Sequence, residues 1–84
     1  MARVKLDLHP IARNGQAIET ALEGVIAEAE SKRIRCVEIV HGKGSGQLKK
    51  RVLKFLERPD IKSRYARVEK DAKNHGRLFV HFRF

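Results

Sequence analysis

One cysteine, two prolines, no tryptophan and no long apolar run set the first limits on this chain. A single thiol, Cys36, cannot close an internal disulfide. It lies in an apolar stretch, where a buried free thiol is the ordinary role. With no run of about 18 apolar residues there is no candidate membrane span. Residues 1–6 lack the apolar stretch of a signal peptide, so the expected compartment is the cytoplasm. Four histidines beside one cysteine make no zinc-binding spacing, and neither a metal nor another cofactor is expected. No linker, repeat or low-complexity segment interrupts residues 1–84, which are read as one domain. At 84 residues a chain buries only about two-thirds of its unfolded surface, so a shallow groove is expected rather than an enclosed active site.

Acid is scarce after residue 40. Residues 1–40 carry six Lys/Arg and six Asp/Glu, whereas residues 41–84 carry thirteen Lys/Arg against four Asp/Glu. The whole net charge of +9 therefore belongs to the second half. A one-sided positive field attracts polyanions and raises encounter rates. Nucleic acid is the expected partner, and a membrane is not.

Val4, Leu6 and Leu8 alternate with Arg3, Lys5, Asp7 and His9, which is the period of a strand with one apolar face, ended by Pro10. A helix begins at Asn14 or Gly15, with Ile18, Ala21, Leu22, Val25, Ile26 and Ala29 as its apolar stripe. Val37, Glu38, Ile39 and Val40 read as a second strand. A second helix buries Leu48, Val52, Phe55 and Leu56 and stops at Pro59 and Asp60. A third strand is expected through about residues 62–70. A fourth places Leu78, Val80, Phe82 and Phe84 on one face and Arg77, Phe79, His81 and Arg83 on the other. The order β-α-β-α-β-β, with strands that are apolar on one side only, predicts a two-layer α/β sandwich. Its mixed four-stranded sheet would carry both helices on one face and leave the other open.

Two motifs carry chemistry. Asp7 and His9 stand two residues apart on the first strand and so share its solvent face. An imidazole exchanges protons near neutral pH, and a carboxylate beside it can orient it. RNA supplies its own nucleophile in the 2′-hydroxyl, so such a pair with cations nearby can cleave it without a metal. The alternative role is a loop cap at Asp7 and a simple strand end at His9. The second motif, His41-Gly42-Lys43-Gly44-Ser45-Gly46, opens the basic helix. It departs from the Walker pattern and from G-x-G-x-x-G, but glycines before a helix N-terminus let backbone N–H groups meet phosphate. Ser45 is a candidate cap. The alternative is a tight turn whose glycines serve positive φ alone. Lys50 and Lys54 share one helix face. Together with Arg77 and Arg83 they are candidates for tracking a nucleic-acid backbone. Phe79, set between cations on the open sheet, suits base stacking or, equally, packing against a loop.

Leu6-Asp7-Leu8-His9, the glycine motif at 41–46 and Gly76-Arg77-Leu78-Phe79-Val80 together resemble the Smr, or small MutS-related, domain family across nearly the whole chain. The resemblance implies a two-layer α/β sandwich and catalytic roles for Asp7 and His9. It also implies substrate contact at the turn from Gly42 to Gly46. It suggests a metal-independent endonuclease, with RNA favoured as substrate (messenger RNA on ribosomes included) and DNA nicking or binding alone as the alternatives. One departure stands out: the family usually has glycine after the strand histidine, and here Pro10 follows His9.

Overall fold

The structure, a computed structural model, describes residues 3–42, 46–71, 73 and 76–83. Strand β1 (Arg3–Asp7) leads through a single 3₁₀ turn (His9–Ile11) into helix α1 (Gly15–Lys32). Strand β2 (Cys36–Val40), helix α2 (Gln47–Leu56) and a one-turn helix α3 (Pro59–Lys62) follow. Strands β3 (Arg67–Lys70) and β4 (Arg77–His81) complete a four-stranded sheet in the order β1-β2-β4-β3. β1 runs parallel to β2, while β4 lies antiparallel to both β2 and β3, so the sheet is mixed as expected.

Alternation explains how the sheet is sided. Val4, Val37, Val80 and Val68 stand in one row across the four strands, and Leu6, Ile39 and Leu78 in the next. These residues join Ile18, Leu22, Val25, Ile26 and Ala29 of α1 and Val52, Phe55 and Leu56 of α2 in a single apolar core. α1 begins where the sequence places it, because the Asn14 side chain accepts the Ala17 N–H at 3.0 Å and caps the first turn. Its end is a left-handed Arg33 (φ 53°), which lets the Ile34 N–H reach back to the Ala29 carbonyl at 2.8 Å. No helix among the described residues is long and apolar enough to cross a membrane.

The third strand departs from expectation. It begins at Arg67, not near residue 62. Pro59 does end α2, but its fixed φ suits the first position of a helix equally well, and it opens α3. Burial of Ile61 and Tyr65 then holds the segment against the core, with the Tyr65 hydroxyl donating to the Leu56 carbonyl at 2.6 Å. Local sequence allowed either form, and these tertiary contacts selected the helical turn.

The core is tested by truncation at a fully buried position. Leu22→Ala is expected to lower stability by about 3 kcal/mol, the usual cost of a buried leucine's lost contacts and residual cavity. Thr20→Ala, on the exposed side of the same helix, should change it by less than about 0.5 kcal/mol. Urea denaturation of the two variants beside the parent reads both.

Candidate functional site

β1 ends at Asp7, so His9 is not a strand residue. Leu8 adopts a helical conformation (φ −92°, ψ −3°), and strand alternation no longer aligns His9 with Asp7. They meet for a different reason. The Asp7 carboxylate folds over the turn and accepts both the His9 backbone N–H and its Nδ1–H through Oδ1, each at 2.9 Å. A carboxylate of this kind only accepts, which assigns the Nδ1 proton and leaves Nε2 as the working nitrogen. The backbone N–H of His9 draws the Asp7 pKa below its ordinary value, with the imidazole adding to the effect. Both side chains stay open to solvent, 51% for Asp7 and 59% for His9, so a polymer can reach them. Pro10 costs the turn nothing, since the first residues of a helical turn have no partner for their N–H groups.

The glycine motif comes to this pair through the sheet. Parallel pairing sets Asp7 opposite Val40, and the Leu8 N–H continues the ladder to the Val40 carbonyl at 3.0 Å. The chain after β1 therefore runs beside the chain after β2. His9 comes to rest on Gly42: a Cβ there would collide with Nε2 and stand 3.1 Å from Cε1 and 3.2 Å from Cδ2. Gly42 also holds φ +82°, a left-handed conformation that side chains resist. The carbonyl of Gly76, just before β4, accepts the N–H groups of His41 and Gly42 at 2.8 and 2.9 Å and fixes the turn from the other side.

His41 is buried, at 4% exposure. Its Nδ1–H donates to the Gly42 carbonyl at 2.9 Å, and its Nε2 has no hydrogen-bond partner among the described residues. Burial pushes its pKa down, against the pull of the Gly42 carbonyl, and the charge of Lys49 pushes the same way. The ring is thus held neutral, with an acceptor lone pair on Nε2. A cleft of about 340 Å³ joins these groups, lined by His9, His41, Gly42, Gly46, Leu48 and Lys49 among others. The N-terminus of α2 faces the same place. Its N-cap is Gly46 (φ +86°), which has no side chain with which to cap, and its first turn holds no acid. Backbone N–H groups and the helix dipole there are suited to an anion.

The other expected site residues are distributed unevenly. Lys43, Gly44 and Ser45, with the proposed Ser45 cap, lie outside the described residues. Lys50 is exposed on α2 one turn from the cleft. Lys54 stands farther along, in a groove between α1 and α2 with Arg51, Phe55 and Arg58. Arg77 is on the opposite side of His9, in a second cleft with Lys5, Glu38, Val40, Gly42 and Gly76. It is already engaged: Nε donates to Asp71 at 2.6 Å and Nη1 to Glu38 at 3.1 Å. Arg83 does not join the site. It lies beyond the far end of β4, where its Nη1 reaches the Ser63 carbonyl at 3.3 Å. Sequence reasoning passed over Glu38, Asp71 and Lys49. Glu38 had a signal: a lone acid inside Val37-Glu38-Ile39-Val40 calls for a cation to accompany it into the sheet.

The Smr domain family model matches residues 6–83. Among solved structures the chain resembles the crystal structure of the Smr domain of Thermus thermophilus MutS2, with a TM-score of 0.75 and 20% sequence identity. That alignment covers 100% of both chains, and at this identity it shows a shared fold. No curated protein sequence matches this chain at a significant level.

The neutral, buried His41 makes stability depend on pH. Its pKa is about 6.5 in the unfolded chain and lower in the folded one, so below 6.5 the unfolded state takes up the extra proton. Stability is expected to be greatest above that value and to fall as the pH drops beneath it. His41→Asn, which keeps a donor for the Gly42 carbonyl, should flatten this part of the profile. Denaturant midpoints measured from about pH 7.5 to about pH 5.5 would reveal it.

Proposed function

The chain belongs to the Smr domain family, and on that premise we propose that it binds nucleic acid and cuts RNA without a metal ion. The family is associated with nucleic-acid binding and nicking endonuclease activity. The observation that carries the reading is the contact between His9 and Gly42. It joins an acid-oriented imidazole to an uncapped helix N-terminus in one solvent-open cleft. In this scheme the α2 N-terminus and Lys49 hold a phosphodiester, and Lys50 and Lys54 extend the contact along the backbone. Gly42 and Gly46 let the strand approach, and Lys43, Gly44 and Ser45 are further candidates for phosphate contact.

The chemistry follows from the tautomer. Asp7 keeps the Nδ1 proton in place, so Nε2 of His9 takes the proton of the ribose 2′-hydroxyl. The 2′-oxygen attacks phosphorus, a 2′,3′-cyclic phosphate forms, and the proton on Nε2 passes to the departing 5′-oxygen. The cationic cleft stabilises the charge that develops on the phosphoryl oxygens. RNA is favoured over DNA because it carries that hydroxyl. On this reading the protein works in the cytoplasm, with ribosome-bound messenger RNA as a candidate substrate. A second reading, binding alone, draws on one feature: Gly42 crowds the Nε2 on which proton transfer depends.

RNA incubated with the protein in EDTA should be cut to products ending in cyclic phosphate. His9→Ala should slow that reaction by about 10²-fold or more, the usual share of a general base. Equal cleavage by the two proteins would remove His9 from the mechanism, and binding without cleavage by either would establish the second reading. The basic helix is tested separately by salt. Affinity should fall steeply as salt rises, and Lys54→Ala should lower the slope of log K against log salt by about one.

A further inference from the structure

His9 and Gly42 border two clefts, and the two are chemically different. The first has the α2 N-terminus and Lys49 on its far wall. Beyond it Lys49, Lys50, Arg51 and Lys54 take part in no ion pair among the described residues. The second opens on the sheet face turned away from the core, with Val40 and Glu38 in its lining. There Arg3, Lys5, Arg67 and Arg77 share the surface with Asp7, Glu38, Glu69 and Asp71. The acids are occupied. Glu38 and Asp71 hold Arg77, and Glu69 accepts from His81 Nε2 at 2.7 Å. This face is close to neutral and offers a phosphate backbone little net attraction.

It offers an aromatic surface instead. Phe79 is half-buried in the middle of the face, in one row with Lys5, Glu38 and Glu69. The Arg3 guanidinium carbon lies 5.2 Å from its ring centre, and that of Arg77 lies 5.3 Å away. Arg77 is fixed by two carboxylates, so little of its freedom remains to be lost on stacking. The result is a planar patch of guanidinium and aromatic groups, its charge balanced by the neighbouring acids, that continues from the cleft beside His9. Planar groups of this kind stack on nucleobases, whatever the base.

A nucleotide is divided in the same way, into a charged phosphate and a flat, uncharged base. We propose that the uncovered sheet face is a stacking platform for an unpaired base flanking the phosphodiester held at His9. The preferred substrate is then single-stranded at that point. The proposal rests on the nucleic-acid reading above and specifies the form of that substrate. Duplex is excluded at this position because its base faces are already covered by their neighbours, and a backbone presented alone meets a surface without net charge.

Short RNAs carrying 2-aminopurine at successive positions test it, with fluorescence read for stacking and anisotropy for binding, both before cleavage proceeds. The parent protein should quench the probe at one or two adjacent positions when the RNA is single-stranded, and bind the matching duplex more weakly. Phe79→Leu should abolish the quench and weaken single-strand binding about tenfold, while leaving duplex binding unchanged. Arg3→Ala, at an exposed position, serves as a second variant should Phe79→Leu fail to fold, and it should reduce the quench. Single-strand binding without a quench at any position, or duplex bound as tightly as single strand, would overturn the platform while leaving nucleic-acid binding intact. Failure of both forms to bind would overturn the underlying reading as well.

Discussion

The in-register parallel pairing of β1 with β2 is the constraint on which the site depends. Asp7 stands opposite Val40, and the ladder carries one bond further, from the Leu8 N–H to the Val40 carbonyl. Two strand ends more than thirty residues apart in sequence therefore stop at the same level of the sheet. The imidazole that follows one and the glycine that follows the other have no choice but to touch. In parallel α/β sheets the space beyond the carboxyl ends of the strands is where ligands usually bind, because chain and helix termini diverge there and leave a crevice. A slip of one residue would turn Val4 and Leu6 out of the core, so the register that builds the site is enforced by burial far from it.

Charge is arranged around that point with equal economy. The sequence places an excess of +9 after residue 40, but the fold does not spread it evenly. On the sheet, acids meet the cations: Glu38 and Asp71 take Arg77, and Glu69 takes His81. On α2 the lysines at 49, 50 and 54 and Arg51 are left without such partners among the described residues. The field therefore centres on one helix and its N-terminus, where the backbone dipole has the same sign. Beneath it the neutral ring of His41 supports the glycine turn without adding charge to a buried place.

Much of this was legible from residue order. The stripe of α1, its Asn14 start and the middles of the two period-two strands appear where the sequence puts them, because side-chain burial and local capping are near-neighbour effects; the strands themselves stop earlier, at Asp7 and His81. The acid–histidine pair is legible as well, but an aspartate-capped turn, not strand alternation, makes the contact. The segment after Pro59 is ambiguous in sequence, because proline is compatible with stopping one helix and starting another, and only the burial of Ile61 and Tyr65 decides between them. Arg77 and Arg83 looked equivalent in sequence, yet one is clamped beside the site and the other lies past the far end of the sheet.

Residue order alone carries the family, the sidedness of the strands, the half of the chain that holds the positive charge, and the residue types able to do chemistry. These are properties of composition and local spacing. Which of those residues meet is a property of the folded chain. It set His9 against Gly42 and took Arg77 into an ion network, and among the described residues it left His41 Nε2 without a hydrogen-bond partner and the α2 cations without an ion pair. The reason is physical: strand register and helix docking act between residues distant in the chain, and a one-dimensional pattern carries no distance between them.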